Sequence, residues 1–402
     1  MNTKEMEALI QRKGTPAYVF DLGVLKSRIA FLRAHLPEQV ELCYAVKANT
    51  FIVRELSKWV DWLEICSPGE YEICKTLKIP EEKYVISGVY KDAGMIDRAM
   101  ENESIGNGLP IGYYTVESEN QFHLLRDTAQ KYGRKIRIQI RLTSGNQFGV
   151  DKNVVFQLAE KYRNAPYVEI GALQFFSGTQ KTSLKKLHRE LMYIKEVLEE
   201  LQEKYGFCPE KLEYGPGFPV SYFEGETFDE PAFLETFSEY LSELQFNGKI
   251  VLELGRSIAA GCGTYWTRVV DTKCNRGEKY AIVDGGMHQF VYYGQMMAMK
   301  HPCVKLFPER DGSESEEWNI CGSLCTINDI LVKRYPFSDL KIGDLLMFEN
   351  TGAYCATEGI ALFLSRDLPK VILVHEDGTC TVAREAMETH PWNTPSACKA
   401  KE

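Results

Sequence analysis

The 402-residue sequence lacks any excess of positive charge: 47 Lys and Arg stand against 56 Asp and Glu, a net charge of −9, and no basic run concentrates the cations. A field of that sign repels a phosphate backbone, so nucleic acid is not an expected partner. No run approaches the roughly 18 apolar residues of a membrane-crossing helix, and the N-terminus, MNTKEMEALIQRKG, has no apolar signal region. The expected setting is a reducing cytoplasm, with no membrane partner. Metal-ligand cysteine pairs are also missing. The 12 cysteines are scattered singly, and Cys321 and Cys325 are four apart without a second pair or a close His, which argues against both a disulfide framework and zinc. What the chain does have is apolar and charged residues in globular proportion, 44% and 26%, at a length suited to about two to three domains.

Eight short apolar, β-branched runs recur between about residue 39 and residue 254, each followed by an amphipathic stretch. They are VELCYAV before Lys47, WLEIC from 62, KYVIS from 83, IGYYTV from 111, IRIQIRL from 136, YVEIGALQF from 167, KLEYG from 211 and KIVLEL from 249. The clearest helix is SLKKLHRELMYIKEVLEELQEKYG, where Leu184, Leu187, Leu191, Ile194, Leu198 and Leu201 fall on one face. Eight strand-then-helix units predict an α/β chain with a closed (β/α)8 barrel, a doubly wound open sheet being the runner-up. After about residue 262 the pattern becomes alternating strands and polar turns, TYWTRVVDT, KYAIVDGG and KVILVHEDGTCTV with its Asp377-Gly378 turn, which predicts an all-β domain. The expected division is residues 1–25 as a strand joining that β domain, 26–262 as the barrel, 263–387 as the β domain and 388–402 as a disordered tail. The acidic stretch ERDGSESEEW near 309–318 is expected to be a solvated loop.

Active sites of such barrels lie past the C-terminal ends of the strands. Lys47 ends the first run, Ser67 to Glu70 follow the second, and Arg141 ends the fifth. Gln174, Phe176, Gly178 and Thr179 follow the sixth, Gly215-Pro216-Gly217 the seventh, and Glu253 with Arg256 the eighth. Lys47 reads either as a desolvated amine able to condense with a carbonyl group or as a snorkelling surface lysine. The Gly-Pro-Gly reads either as a backbone cradle for an anion or as a tight turn, and Arg256 adds a donor fork suited to phosphate.

YAVKAN, EICSPGEY, FSGTQ, YGPGF, ELGRS, GSLCTINDI and NTGAY, in this order, resemble the signature set of the fold type III pyridoxal-phosphate decarboxylases, the group of diaminopimelate, ornithine and arginine decarboxylases. The resemblance runs from about Thr15 to about residue 375. It implies an alanine-racemase-like barrel with a β domain, pyridoxal 5'-phosphate as cofactor, and a homodimer with shared active sites. By resemblance Lys47 holds the cofactor covalently, Glu253 pairs with its ring nitrogen, and Gly217, Thr179, Arg256 and Tyr354 hold its phosphate. Cys325 corresponds to an interface cysteine that returns a proton to Cα, and Asp329 supports its loop. A carboxylate at the ring nitrogen favours loss of the α-carboxylate, whereas racemases on this barrel place an arginine there.

Three departures from the family pattern bear on substrate. Phe176 stands where the family has a histidine against the cofactor ring. Thr326 stands where diamine-releasing members carry an acid, and MHQFVYYGQ, with Tyr292 and Tyr293, replaces the Arg-Pro that holds a distal carboxylate. In motif detail the chain is similar to the butirosin-pathway decarboxylase of a glutamyl carrier protein and to siderophore-pathway decarboxylases. The expectation is α-decarboxylation of an amino acid or of its conjugate, with an acyl carrier protein as a candidate partner and Thr326, Asp329, Tyr292 and His288 as candidate substrate residues. Alternatives are a diaminopimelate decarboxylase, a racemase, and a non-catalytic binding relative.

Overall fold

The structure is a computed structural model that describes residues 2–104, 110–292, 298–310 and 314–395. Its chain divides into two compact units. One comprises Arg28–Pro219 and Asp229–Ile258; the other comprises Met1–Ser27, Val220–Phe228 and Ala259–Glu402.

The first unit is built on eight parallel strands that close on themselves. These are β2 (Glu41–Ala45), β3 (Trp62–Ile65), β4 (Tyr84–Ile86), β5 (Tyr113–Val116), β6 (Ile136–Leu142), β7 (Val168–Phe176), β8 (Lys211–Gly215) and β9 (Lys249–Leu254), following β1 (Ala17–Asp21) of the other unit. Closure is made by β2 against β9, with Cys43 opposite Glu253. Each run expected from the sequence is a barrel strand, because both faces of such a strand are covered and only near-continuous apolar stretches meet that condition. Cys43, Val85, Tyr113, Ala172 and Val251 form a buried cluster in this unit with Trp62 packed on it.

The helix Leu184–Tyr205 starts at Ser183, whose side chain accepts from the Lys186 amide, and stops at Gly206 in the left-handed region. Leu187, Leu191, Ile194, Val197 and Leu201 are its buried apolar residues, so the stripe rotates onto Val197 and leaves Leu198 half-buried. Glu190 lies on this same face. Its carboxylate takes the Lys181 ammonium at 2.7 Å and the Tyr214 hydroxyl at 2.7 Å, which satisfies a charge the apolar pattern does not anticipate.

The second unit is a nine-stranded sheet. It contains β1 with β10 (Gly263–Asn275), β11 (Glu278–Val283), β12 (Val304–Phe307), β13 (Ser315–Cys321), β14 (Ile330–Ser338), β15 (Leu345–Phe348), β16 (Lys370–Val374) and β17 (Cys380–Arg384). The order runs β14-β13-β11-β10-β1-β16-β17, with β15 pairing both β10 and β12. The N-terminal strand therefore sits between β10, antiparallel, and β16, parallel.

Three sequence expectations need correction. The acidic stretch is not a loop throughout: residues 311–313 lie outside the described residues, and Ser315–Cys321 is strand β13, whose Ser315, Glu316 and Glu317 face solvent before Trp318 turns inward. The segment from Glu388 is partly ordered, since Thr389 is buried, its hydroxyl donates to the Arg366 carbonyl at 2.9 Å, and His390–Asn393 forms a helical turn. Val220–Phe228, inside the span expected for the barrel, packs instead with the β unit, where Phe223 bridges Pro302.

Truncating Leu191, which is fully buried, leaves a cavity the packed helix cannot fill. Leu191→Ala is expected to lower unfolding stability by about 3 kcal/mol, read from urea denaturation with an unchanged slope.

Candidate active site

Five barrel strands carry a polar side chain in the middle of an apolar run: Glu64 in WLEI, Gln139 in IQI, Gln174 in LQF, Glu213 in LEY and Glu253 in LEL. All five are buried. Barrel interiors are ordinarily filled by branched apolar side chains, so this polar layer is the anomaly that marks the site. Strand-end position marks Glu253 and Gln174 in the sequence and leaves Glu64, Gln139 and Glu213 unmarked. The signal was available, since an acid or amide inside a strand buried on both faces has to be satisfied within the barrel.

Lys47 sits in the short turn Val46–Ala48 that ends β2. Its ammonium lies 2.7 Å from Glu64 Oε2, 3.9 Å from Glu253 Oε1 and 3.6 Å from Cys66 Sγ. Of the two readings of Lys47, the desolvated amine does not hold: 41% of its side chain is exposed, and it is held as an ion pair. Burial, then the neighbouring Glu64 charge, pushes the Glu253 carboxyl up to about 8, and a hydrogen bond links the two acids. Burial acts on Glu64 in the same sense, but the Lys47 ammonium overrides it and holds Glu64 below its ordinary range. The pair is thus split into a carboxylate facing the amine and a carboxyl that keeps a proton near neutral pH. Burial raises the Cys66 thiol, which stays protonated beside Lys47. Glu70 accepts from the Cys66 amide at 2.6 Å and so shapes the backbone here.

Lys91, which no motif marks, is a further buried amine of this unit. Burial lowers it to about 8, with Glu117 opposing, and its ammonium donates to the Gly88 carbonyl at 2.9 Å. Arg141 reaches Glu117 at 3.4 Å and lies over the rings of Phe148, at 4.7 Å, and Phe176, at 6.0 Å.

At the ends of β7 and β8 the backbone comes close to itself. Gly217 has φ +63°, and a Cβ there would lie 2.1 Å from the Gly178 carbonyl oxygen and 3.0 Å from Thr179 Cα. A Cβ on Gly215 would strike the Phe176 ring at 2.3 Å. Only glycine fits either position, so Gly178, Thr179 and Gly217 form a bare backbone cradle with Phe176 laid against Gly215. Arg256, also buried, opens the helical turn after β9.

Pyridoxal 5'-phosphate, the cofactor implied by the motifs, fits this donor set. An amine flanked by carboxylates can take a carbonyl carbon, a bare backbone turn suits a phosphate, and a proton-holding carboxyl suits a ring nitrogen. Gln174 Oε1 and Arg141 Nε are buried without a hydrogen-bond partner among the described residues, as expected of groups that meet a ligand.

The other sequence-selected residues belong to the β unit. The Asp329 carboxylate accepts from the amides of Met287 and Leu324, both at 2.8 Å, so it ties the VDGGMH segment to the CTIND loop. It is spent on backbone and is not a substrate group. Cys325 is exposed on that loop, and Thr326 accepts from the Asn328 amide at 3.3 Å. Tyr292 is also corrected: its hydroxyl donates to the Glu349 carbonyl and its ring packs against Tyr222, Phe223 and Phe290, which makes it a core residue. Tyr293 lies outside the described residues. His288 is buried, and burial followed by the Arg366 charge pushes it down to about 4, so it is neutral. Tyr354 is half-buried with φ +65°, a conformation that costs a non-glycine residue energy and concentrates at functional positions.

A model described as a pyridoxal-dependent decarboxylase, C-terminal sheet domain, matches residues 17–352. The chain belongs to this decarboxylase family. It is 26% identical over 402 residues to the L-glutamyl-[BtrI acyl-carrier protein] decarboxylase of Niallia circulans, covering 93% of this chain and 92% of that protein. It is 28% identical over 371 residues to the diaminopimelate decarboxylase of Aquifex aeolicus, covering 87% and 84%. The crystal structure of Helicobacter pylori diaminopimelate decarboxylase complexed with L-lysine superposes with a TM-score of 0.83 at 23% identity, over 96% of this chain and 98% of that one, and so shares the fold. The protein is therefore a pyridoxal-phosphate-dependent amino acid decarboxylase with a closed barrel and a separate β-sheet unit. Among the described residues no group of metal-ligating side chains occurs, and no helix is long and apolar enough to cross a membrane.

The split between Glu64 and Glu253 has a thermodynamic consequence in the cofactor-free protein. The folded state binds the Glu253 proton more tightly than the unfolded chain, whose value is near 4.5. That stabilisation is complete below about pH 4.5 and is lost as pH rises through about 8. Below about pH 6.5 His288, lowered by burial, contributes in the opposite sense, so Tm of the parent should fall between about pH 6.5 and 8, and Glu253→Gln should flatten that fall, as scanning calorimetry would show.

Proposed function

We propose that this decarboxylase acts on an amino acid whose distal end is conjugated, with a glutamyl group carried on an acyl carrier protein as the leading candidate. The observation that carries this reading is Thr326. The position beside Cys325 holds a neutral hydroxyl on an exposed loop, and a site without an acid there has no anion to select a free distal ammonium. The full-length similarity to a decarboxylase named for a glutamyl carrier protein supports the same reading. A free diaminopimelate substrate is the second reading, supported by the similarity to diaminopimelate decarboxylases.

In this reading Lys47, whose amine is partly exposed beside Glu64, would hold the cofactor. Gly178, Thr179, Gly217 and Arg256 would hold the phosphate, Tyr354 being assigned to it by the family resemblance, and Phe176 would offer the ring an aromatic face and no hydrogen bond. When bound, the cofactor supplies an electron sink for the pair released as the α-carboxylate leaves. Glu253 would face the ring nitrogen and hold the proton that makes this sink effective. Glu64 stays anionic beside Lys47 and orients its amine. Cys325, or a water, returns one proton to Cα. We also propose a cytoplasmic homodimer, because the family resemblance places Cys325 at an interface between subunits.

Carbon dioxide release should be measured with free glutamate, diaminopimelate, lysine, ornithine and glutamyl-loaded carrier protein. Release from the loaded carrier alone is expected, and release from diaminopimelate alone would sink the proposal. Thr326→Glu should shift preference towards ornithine and lysine by about tenfold or more in kcat/KM. Lys47→Ala should lose the visible absorption of covalently held cofactor while far-UV circular dichroism is unchanged; persistence of that absorption would remove Lys47 from its role.

A further inference from the structure

Beneath the Lys47 site a chain of buried polar groups continues down the barrel interior. Gln174 Nε2 donates both to Glu253 Oε2, at 2.9 Å, and to Glu213 Oε1, at 3.1 Å. Gln139 Nε2 donates to the same Glu213 oxygen at 3.1 Å and to the Thr115 hydroxyl at 2.9 Å, and Thr115 meets Ser87 at 2.8 Å. The other Glu213 oxygen takes the Lys211 ammonium at 2.8 Å. Lys211 and Glu213 are two apart on β8 and so point to the same side of the strand. Lys211 is 1% exposed and Glu213 0%. The Lys211 ammonium also lies over Tyr113, at 4.1 Å, and Trp62, at 4.7 Å, which with Arg137 and Lys249 line a cleft of about 550 Å³ at the strands' N-terminal ends.

A barrel can fill its interior with apolar residues, and two charges held there need a reason beyond packing. The decarboxylation itself uses groups at the opposite end of the strands, and the chain of bonds ends on the one acid that has to hold a proton there. We propose that Glu213 and Gln174 are positioning residues for Glu253: Gln174 clamps one Glu253 oxygen, while Glu213, anchored by Lys211, supplies a fixed negative charge behind it that keeps the Glu253 proton in place. Lys211 binds the Glu213 oxygen that Gln174 does not, and Gln174 links the other oxygen to Glu253, so along this chain of bonds Glu213 is the charge next to Glu253. The other ionisable groups facing Glu253 are Lys47, Glu64, Cys43 and Cys66, the two thiols being kept protonated by burial. Of these, Lys47 favours the ionised form of Glu253, and Glu64 acts in the same sense as Glu213.

The inference rests on the reading of Glu253 as partner of the ring nitrogen, but its test does not. The Glu253 carboxyl is titrated in the cofactor-free protein by infrared difference spectroscopy, with Glu253→Gln subtracted to isolate its band. In the double variant Lys211→Met/Glu213→Gln both charges are removed together, so neither is stranded, and the introduced amide can still accept from Gln174. The titration midpoint of Glu253 is expected to fall by about one pH unit or more, with circular dichroism unchanged. An unchanged midpoint in the folded double variant overturns the inference. Gln174→Leu provides an independent arm should the double variant not fold: loss of a donor to the ionised carboxylate should raise the same midpoint, and a midpoint that stays put overturns the clamp. Whether cofactor binding then perturbs the Glu253 band reports separately on the reading of the ring nitrogen.

Discussion

The organising constraint of the barrel unit is that three carboxylates, Glu64, Glu213 and Glu253, are taken out of water inside one ring of strands. An ionised carboxylate in that setting costs several kcal/mol unless a cation or several donors face it. The barrel meets the constraint differently at each acid. Glu64 takes the Lys47 ammonium, Glu213 takes Lys211 with two amides, and Glu253, left with the weaker share, retains its proton. The unequal treatment of three like groups yields one carboxylate beside the Lys47 amine and one carboxyl poised near neutral pH.

The backbone cradle proposed for the cofactor follows from how strands end. Parallel strands finish at one end of the barrel, and where β7 and β8 finish the chain has no room for a Cβ at Gly215 or Gly217. The tight approach that forbids side chains leaves backbone amides uncovered, and uncovered amides suit a phosphate. In the β unit the corresponding device is Asp329, whose carboxylate binds two loops by their amides and so sets where Cys325 and Thr326 stand on the surface of that unit.

Much of this was legible in the residues. The eight strands were readable because burial on both faces demands continuous apolar runs, and their ends pointed to Lys47, Arg141, Gly217, Glu253 and Arg256. Legibility failed where a side chain's partner lies far away in sequence. Glu64, Gln139 and Glu213 were overlooked because an acid or amide inside an apolar strand has no local reason to be there. Tyr292 reads as a substrate group in sequence, yet its hydroxyl is committed to Glu349, 57 residues away. The acidic stretch read as a loop because strand β13 exposes its first residues, a pattern that charge content alone does not distinguish from solvated coil.

The sequence by itself determined the strand and helix periodicity, the glycines at the strand ends, the family and thereby the cofactor, since each depends on residue type at short spacing. Tertiary structure alone decided which acid keeps a proton, that Lys47 is paired and partly exposed, and that Lys211 and Glu213 stand behind Glu253. Those properties depend on distances of a few ångströms between residues as far as 206 positions apart, as for Lys47 and Glu253, and on the removal of water around them, neither of which exists until the barrel closes.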